Sequence, residues 1–307
     1  MNVVMGIFGI ITLLAIALLM SNNRQAINRR TVVVAFLLQA GFGAFVLYLP
    51  MGKAILMSVA NGVQWVIDSS SNGIDFMFAG LVSDKMYEVF GGGGFIFALR
   101  VLPVIIFFSS LIAVLYYLGI MQKLIAVIGG VLQRLLKVSR PEALSATANI
   151  FVGLTEAPLV VRPFVNKMSQ SQLFAIMVGG TASVAGSVLV GYAALGIELK
   201  YLVAASFMAA PGGLLMAKII MPEQETPAET LPMNDESIEE ELVNVIDAAA
   251  TGASVGVKLA INVAGMLLAF IGLIALMNNF VILFAELLGF EGISIQLILG
   301  YVFAPLA

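Results

Sequence analysis

Six apolar runs, each with at most one charged residue, divide this chain: Val3–Met20, Thr31–Leu49, Phe95–Met121, Gln172–Ile197, Tyr201–Met221 and Val257–Phe284. A helix needs about 20 apolar residues to cross the hydrocarbon core of a bilayer. The runs therefore predict six membrane spans. A seventh begins near Ser294 and is still apolar at Ala307. The chain is 61% hydrophobic and 11% charged, whereas a soluble domain is about half apolar and a quarter charged. These proportions and a mean hydropathy of +1.05 predict an all-α polytopic membrane protein. No basic residue precedes Val3–Met20, while Arg24, Arg29 and Arg30 follow it. This order reads as a retained first span and not as a secretory signal.

Composition also removes whole classes of chemistry. There is no cysteine, so no disulfide framework or thiolate metal site can form. There is no histidine, the commonest general base. A net charge of −3 gives nucleic-acid binding no electrostatic support. An intramembrane enzyme would have only Glu156 and scattered Ser and Thr to work with, and no HExxH pattern occurs.

Weaker elements lie between the spans. Lys53–Asp68 and Gln122–Lys137 carry apolar residues at helical spacing with basic edges, as interfacial helices do. The second presents Leu124, Ile125, Ile128, Val131, Leu132 and Leu135 as its apolar face. Gly91–Gly94 is a glycine hinge. Met221–Asp247 holds nine of the 18 acidic residues and three prolines, which predicts a solvated, flexible linker.

Glu142–Lys167 is the most informative segment. It has the length of one span, but Gly153 and Pro158 bracket Leu154, Thr155 and Glu156 at its midpoint. Two half-helices of about 11 residues would enter half the bilayer and return. Basic residues discriminate between these topologies. With Arg100 and Arg162 set aside, 13 Lys and Arg remain. A re-entrant hairpin puts ten inside and leaves Lys53, Lys85 and Lys200 outside, whereas a crossing segment splits them eight to five. The hairpin is the expected form.

Glu156 then falls at the membrane midplane. A carboxylate there needs a partner, a cavity or a proton. One reading pairs it with Arg162 or Arg100 to hold the fold. The other makes it part of a polar site on interrupted backbone, the device from which membrane carriers build substrate sites. Gly179–Ser187 contains only Val184 larger than threonine. It reads either as a close-packing face or as a helix that unwinds to offer oxygens to a hard cation. Asn149, Thr181, Ser183 and Ser187 supply side-chain oxygens in these two segments. Arg100 and Pro103 should kink the third span, with Arg100 held by a carboxylate or by carbonyls.

The run Asn149–Phe164 (NIFVGLTEAPLVVRPF) resembles the first re-entrant hairpin of concentrative nucleoside transporters. The similarity continues through Gly91–Gln122, Gly191–Gly213, Asn244–Gly256 and Leu299–Ala307, and so covers essentially the whole chain. The resemblance implies an inverted-repeat transporter with re-entrant helical hairpins, a scaffold and a mobile transport domain, assembled as a homotrimer in the bacterial inner membrane. It implies a scaffold part at 1–90, a first transport repeat at 91–220 with its hairpin at 142–167, an acidic cytoplasmic loop at 221–247, and a scaffold helix with the start of the second repeat at 248–307. Carried over by position, Thr155 and Glu156 would hydrogen-bond the nucleobase, and Val188 and Leu259 would line its pocket. Asn149, Ser183 and the carbonyls of Val152 and Val184 would hold a co-transported sodium ion. Leu154 stands where some members of the family have glutamine, which affects base selectivity. The second hairpin and the ribose-binding residues would follow Ala307, so a longer gene product is expected. Proton coupling through Glu156, or a receptor that binds nucleosides without moving them, are the alternatives.

Overall fold

The computed structural model describes residues 2–91, 95–154, 157–194, 196–224, 243–287, 289 and 292–304. Among the described residues there are helices and turns and no strand. Contacts divide the chain into two compact units, Asn22–Ala260 and Met1–Ser21 with Ile261–Ala307.

In the second of these units, α1 (Asn2–Leu19) realises the first apolar run and α13 (Ile295–Phe303) the last. Ser294 caps α13 by accepting from the Leu297 N–H at 3.1 Å. In this unit Asn278 Oδ1 accepts from the Ile295 N–H at 2.8 Å, and Asn278 Nδ2 donates to Gln296 at 3.0 Å.

The larger unit holds α2 (Arg29–Tyr48), α3 (Pro50–Phe78), α4 (Lys85–Phe90), α5 (Phe97–Arg100), α6 (Leu102–Tyr117) and α7 (Ile120–Leu136). After these come α8 (Arg140–Ala148), α9 (Gln170–Ala182), α10 (Gly186–Ala194) and α11 (Leu199–Ile220). Helix α12 runs over Val245–Leu287. Helices α2, α11, α12 and the Phe97–Tyr117 segment are long and apolar enough to cross a membrane. α12 carries many large exposed apolar side chains, among them Leu268, Ile271 and Phe284. Such a surface suits lipid as the solvent.

Helix α11 is the centre of this unit and packs on α2, α3 and α9. Glycines set how close its neighbours come. A Cβ on Gly212 would lie 2.7 Å from the Gln39 amide nitrogen, and one on Gly213 would lie 3.4 Å from the Gly179 Cα. Small residues permit such approach without a hydrophobic drive between helices. A second seam joins α12 to α6. Ser110 Oγ donates to the Ala249 carbonyl at 2.8 Å, and Cβ atoms on Gly252 and Gly256 would lie 2.5 Å from Ala113 Cβ and 2.7 Å from Ile106 Cα.

Several expectations change in detail. The Lys53–Asp68 element is longer, because α3 continues through polar Ser69–Asn72 to Phe78. The Val257–Phe284 run sits inside a helix that starts at Val245. The third span is broken at Val101, with Pro103 in the first turn of α6. Gln172–Ile197 is two helices, α9 and α10, neither long enough to span. Of the apolar face expected for α7, Ile125 is buried in the protein while Leu124, Val131 and Leu135 are exposed, as suits a face turned to lipid, and Met121, Gly129 and Leu136 face the protein. Gly129 decides this, since it lets Ala143 and Leu144 of α8 approach within 3.4 Å of where its Cβ would stand. Residues 92–94 of the glycine hinge and 225–242 of the acidic linker lie outside the described residues.

The α6–α12 seam yields a prediction. Gly256→Leu should lower stability by roughly 1–3 kcal/mol or more through overpacking. Thermal unfolding of the detergent-purified protein measures this, and an unchanged midpoint would mean that the seam is not tightly packed.

Candidate functional site

Glu142–Lys167 folds back on itself. Its first arm is α8, which packs on the second arm, a 3-10 helix over Ala157–Lys167. The return arm is 3-10 where α-helix was expected. Pro158 and Pro163 have no N–H to give to an α-helical ladder. α8 starts where Glu142 Oε2 accepts from both the Ser139 N–H at 2.9 Å and its hydroxyl at 2.8 Å. Pro141 through Ala148 are all buried. Beneath the hairpin lies an apolar cluster of Met121, Ile125, Leu144, Ala148, Val152 and Ile176.

The hairpin tip meets the interruption between α9 and α10. α9 stops at Ser183, whose backbone is extended (φ −112, ψ 161). The Gly186 N–H donates to the Phe151 carbonyl at 3.2 Å. Four glycines make room for this contact. A Cβ on Gly186 would lie 2.5 Å from the Phe151 oxygen, on Gly153 3.2 Å from Ala185 Cβ, and on Gly179 3.2 Å from Asn149 Nδ2. A Cβ on Gly180 would strike the Leu154 side chain. The small-residue stretch is thus both a close-packing face and a broken helix.

Asn149 ends α8 at this contact. It is 2% exposed, and neither its amide oxygen nor its nitrogen has a hydrogen-bond partner among the described residues. A buried amide left so carries a penalty of about 1–3 kcal/mol, normally relieved by water or a ligand. Val152 is buried beside it, and Ser183 and Val184 lie half-buried in the link between α9 and α10. An amide oxygen, a hydroxyl and carbonyls on irregular backbone are hard donors of the kind a small cation takes. Among the described residues no group of three or more His, Cys, Asp or Glu could hold a metal. A cation here would rely on neutral oxygens.

The substrate-side residues are placed unevenly. Leu154 is 49% exposed at the tip. Val188 is half-buried on α10, one turn before Gly191, whose Cβ would lie 3.1 Å from Val101 beside α6. Leu259 is half-buried on α12, one turn after Gly256, which also packs on α6. Thr155 and Glu156 lie outside the described residues. Arg100 is held by carbonyls, as one of its two readings expected. Its Nη2 donates to Val82 O at 2.6 Å and Ser83 O at 3.3 Å, and its guanidinium lies 4.9 Å from the Tyr87 ring centre. Gly252–Gly256 has the letters of a GxSxG nucleophile elbow. That motif needs a strand-to-helix turn, and here it lies within α12 with both glycines against α6.

The sequence reading missed an ion cluster at the other end of the hairpin. Lys218 Nζ lies 2.6 Å from Glu142 Oε1 and 3.3 Å from Glu223 Oε2, with the Lys218 and Glu142 side chains 8% and 1% exposed. Lys218 also donates to Ser171 at 2.9 Å, and Ser169 to Glu223 at 3.0 Å. A cavity of about 50 Å³ beside it is lined by Asn28, Thr31, Lys137, Lys218 and Glu223 among others. The one available signal was Lys218 itself, the only charge in Tyr201–Met221. The cluster ties the starts of α8 and α9 to the end of α11. Lys218→Met should destabilise the protein by about 3–5 kcal/mol, because it strands a buried carboxylate. Adding Glu142→Gln should recover part of that loss. Thermal unfolding of both variants checks this, and no recovery in the double variant would contradict the pairing.

Comparison with known proteins accords with this geometry. Residues 8–81 match the family described as Na+ dependent nucleoside transporter N-terminus, 98–198 the one described as nucleoside recognition, and 201–307 the Na+ dependent nucleoside transporter C-terminus. An uncharacterised transporter of Haemophilus influenzae is 53% identical over the whole chain and 72% of its own length. The nucleoside permease NupC of Helicobacter pylori is 50% identical over 98% of the chain and 71% of its own length. The structure of CNTnw in an inward-facing substrate-bound state superposes with a TM-score of 0.94 at 54% identity, over 100% of this chain and 72% of that one. These are transporters and not enzymes, and the chain belongs to their family, the nucleoside transporters.

Proposed function

We propose that this protein imports nucleosides together with sodium, by alternating access of a mobile part that carries the hairpin. The observation that carries the reading is Asn149. Its amide is buried and, among the described residues, unpartnered near the hairpin tip, with its nitrogen 3.2 Å from where a Gly179 Cβ would be. In this reading sodium joins Asn149, Ser183 and the carbonyls of Val152 and Val184, and bridges the tip to the interrupted helix. Thr155 and Glu156 then meet the nucleobase, Val188 and Leu259 line its pocket, and Leu154 tunes which bases are accepted. Sodium and nucleoside favour the same ordered tip, so each raises the affinity of the other.

The same reading assigns 91–220 to the moving part, 1–90 and the first helix of 248–307 to a scaffold, and 221–247 to a linker on the cytoplasmic side. It places the protein in the inner membrane of a bacterium as a homotrimer. The α6–α12 seam would belong to the boundary of the scaffold.

Labelled uridine uptake into proteoliposomes tests the proposal. An inward sodium gradient should drive accumulation, and a proton gradient alone should not. Accumulation that follows pH and ignores sodium would reassign the coupling ion, with Glu156 as proton carrier. Binding without accumulation would make the protein a receptor. Glu156→Gln should abolish uridine binding while the protein still assembles, and wild-type affinity in that variant would remove Glu156 from the site.

A further inference from the structure

Serine and threonine in helices usually satisfy their hydroxyls by donating to the carbonyl one turn back. This chain does so repeatedly. Thr147 Oγ1 donates to Ala143 O at 2.8 Å, Thr12 to Phe8 O at 2.8 Å, Thr181 to Met177 O at 3.0 Å and Ser206 to Leu202 O at 3.1 Å. Ser145 breaks the pattern. It is 0% exposed, and its Oγ has no hydrogen-bond partner among the described residues. It stands four residues before Asn149, whose N–H donates to the Ser145 carbonyl at 3.0 Å. Residues at that spacing lie one above the other on a helix face. Two buried side chains on adjacent turns of α8 therefore hold unpartnered oxygens.

We propose that Ser145 is a further member of the cation site, its hydroxyl supplying an oxygen to the sodium ion directly or through one bound water. The inference rests on the sodium reading above. A hydroxyl oxygen is a hard neutral donor and suits a monovalent cation already served by an amide and carbonyls. Groups that orient or complete a metal shell without dominating it commonly change affinity when removed. α8 is nine residues with alanine at three positions, so alanine at 145 keeps its helix.

The test is sodium-dependent uridine uptake in proteoliposomes. Ser145→Ala should raise the half-saturating sodium concentration by roughly tenfold or more, with uridine KM and maximal rate at saturating sodium unchanged. Ser206→Ala removes a hydroxyl that is also buried, at 4% exposure, but internally bonded, and should leave the sodium dependence at the wild-type value. Wild-type sodium dependence in Ser145→Ala would overturn the proposal, as would an equal shift in both variants. If the wild-type protein itself takes up uridine without regard to sodium, the sodium reading has failed, and this inference falls with it before any variant is measured.

Discussion

The hydrogen bond from the Gly186 N–H to the Phe151 carbonyl, at 3.2 Å, joins two places in the larger unit where helical backbone gives out. Inside a bilayer every backbone polar group needs a partner, and irregular backbone persists only where protein or a watery cavity surrounds it. The hairpin tip and the break between α9 and α10 meet this requirement by facing each other. The contact requires glycine at 186, where a Cβ would lie 2.5 Å from the Phe151 oxygen, and glycines at 153, 179 and 180 keep the two segments close. It leaves hard oxygens at Asn149 and Ser145 inside the protein, without a hydrogen-bond partner among the described residues.

The rest of the hairpin holds this contact in place. α8 is buried along nearly its whole length and rests on α7 through Gly129. Its start is anchored by Glu142, which satisfies Ser139 with one oxygen and pairs with Lys218 through the other. A buried ion pair adds little net stability over an apolar pair, but breaking it is expensive. Its effect here is geometric, since the pair fixes the starts of α8 and α9 against the end of α11. The hairpin is thereby held at its root by charge and at its tip by backbone contact, with apolar packing between.

Most of the architecture was legible in the sequence. Apolar runs in lipid need no alternation to be read, so four of the six predicted spans emerged as segments long and apolar enough to cross a membrane, while the interruption of Gln172–Ile197 showed only as small residues. The hairpin was legible because Gly153, Pro158 and the placement of basic residues pointed the same way. Asn149 and Ser183 were legible as oxygen donors. Features that depend on who faces whom were not. The Lys218–Glu142 pair joins residues far apart in the chain, and only the fold brings them together. The side of α7 that packs on α8 follows from Gly129, which periodicity counts as neutral. Ser145 looks like any helical serine until its missing back-bond is seen. The polar residues in α3 and near the start of α12 concealed helix that contacts stabilise.

In the proposed function a cation at the hairpin tip and a nucleoside stabilise the same arrangement. Calorimetric titration of uridine into the purified protein, at saturating sodium and with sodium replaced by choline, measures that coupling directly. Uridine should bind tighter by roughly 5- to 150-fold in sodium. Equal affinity in the two media would contradict it.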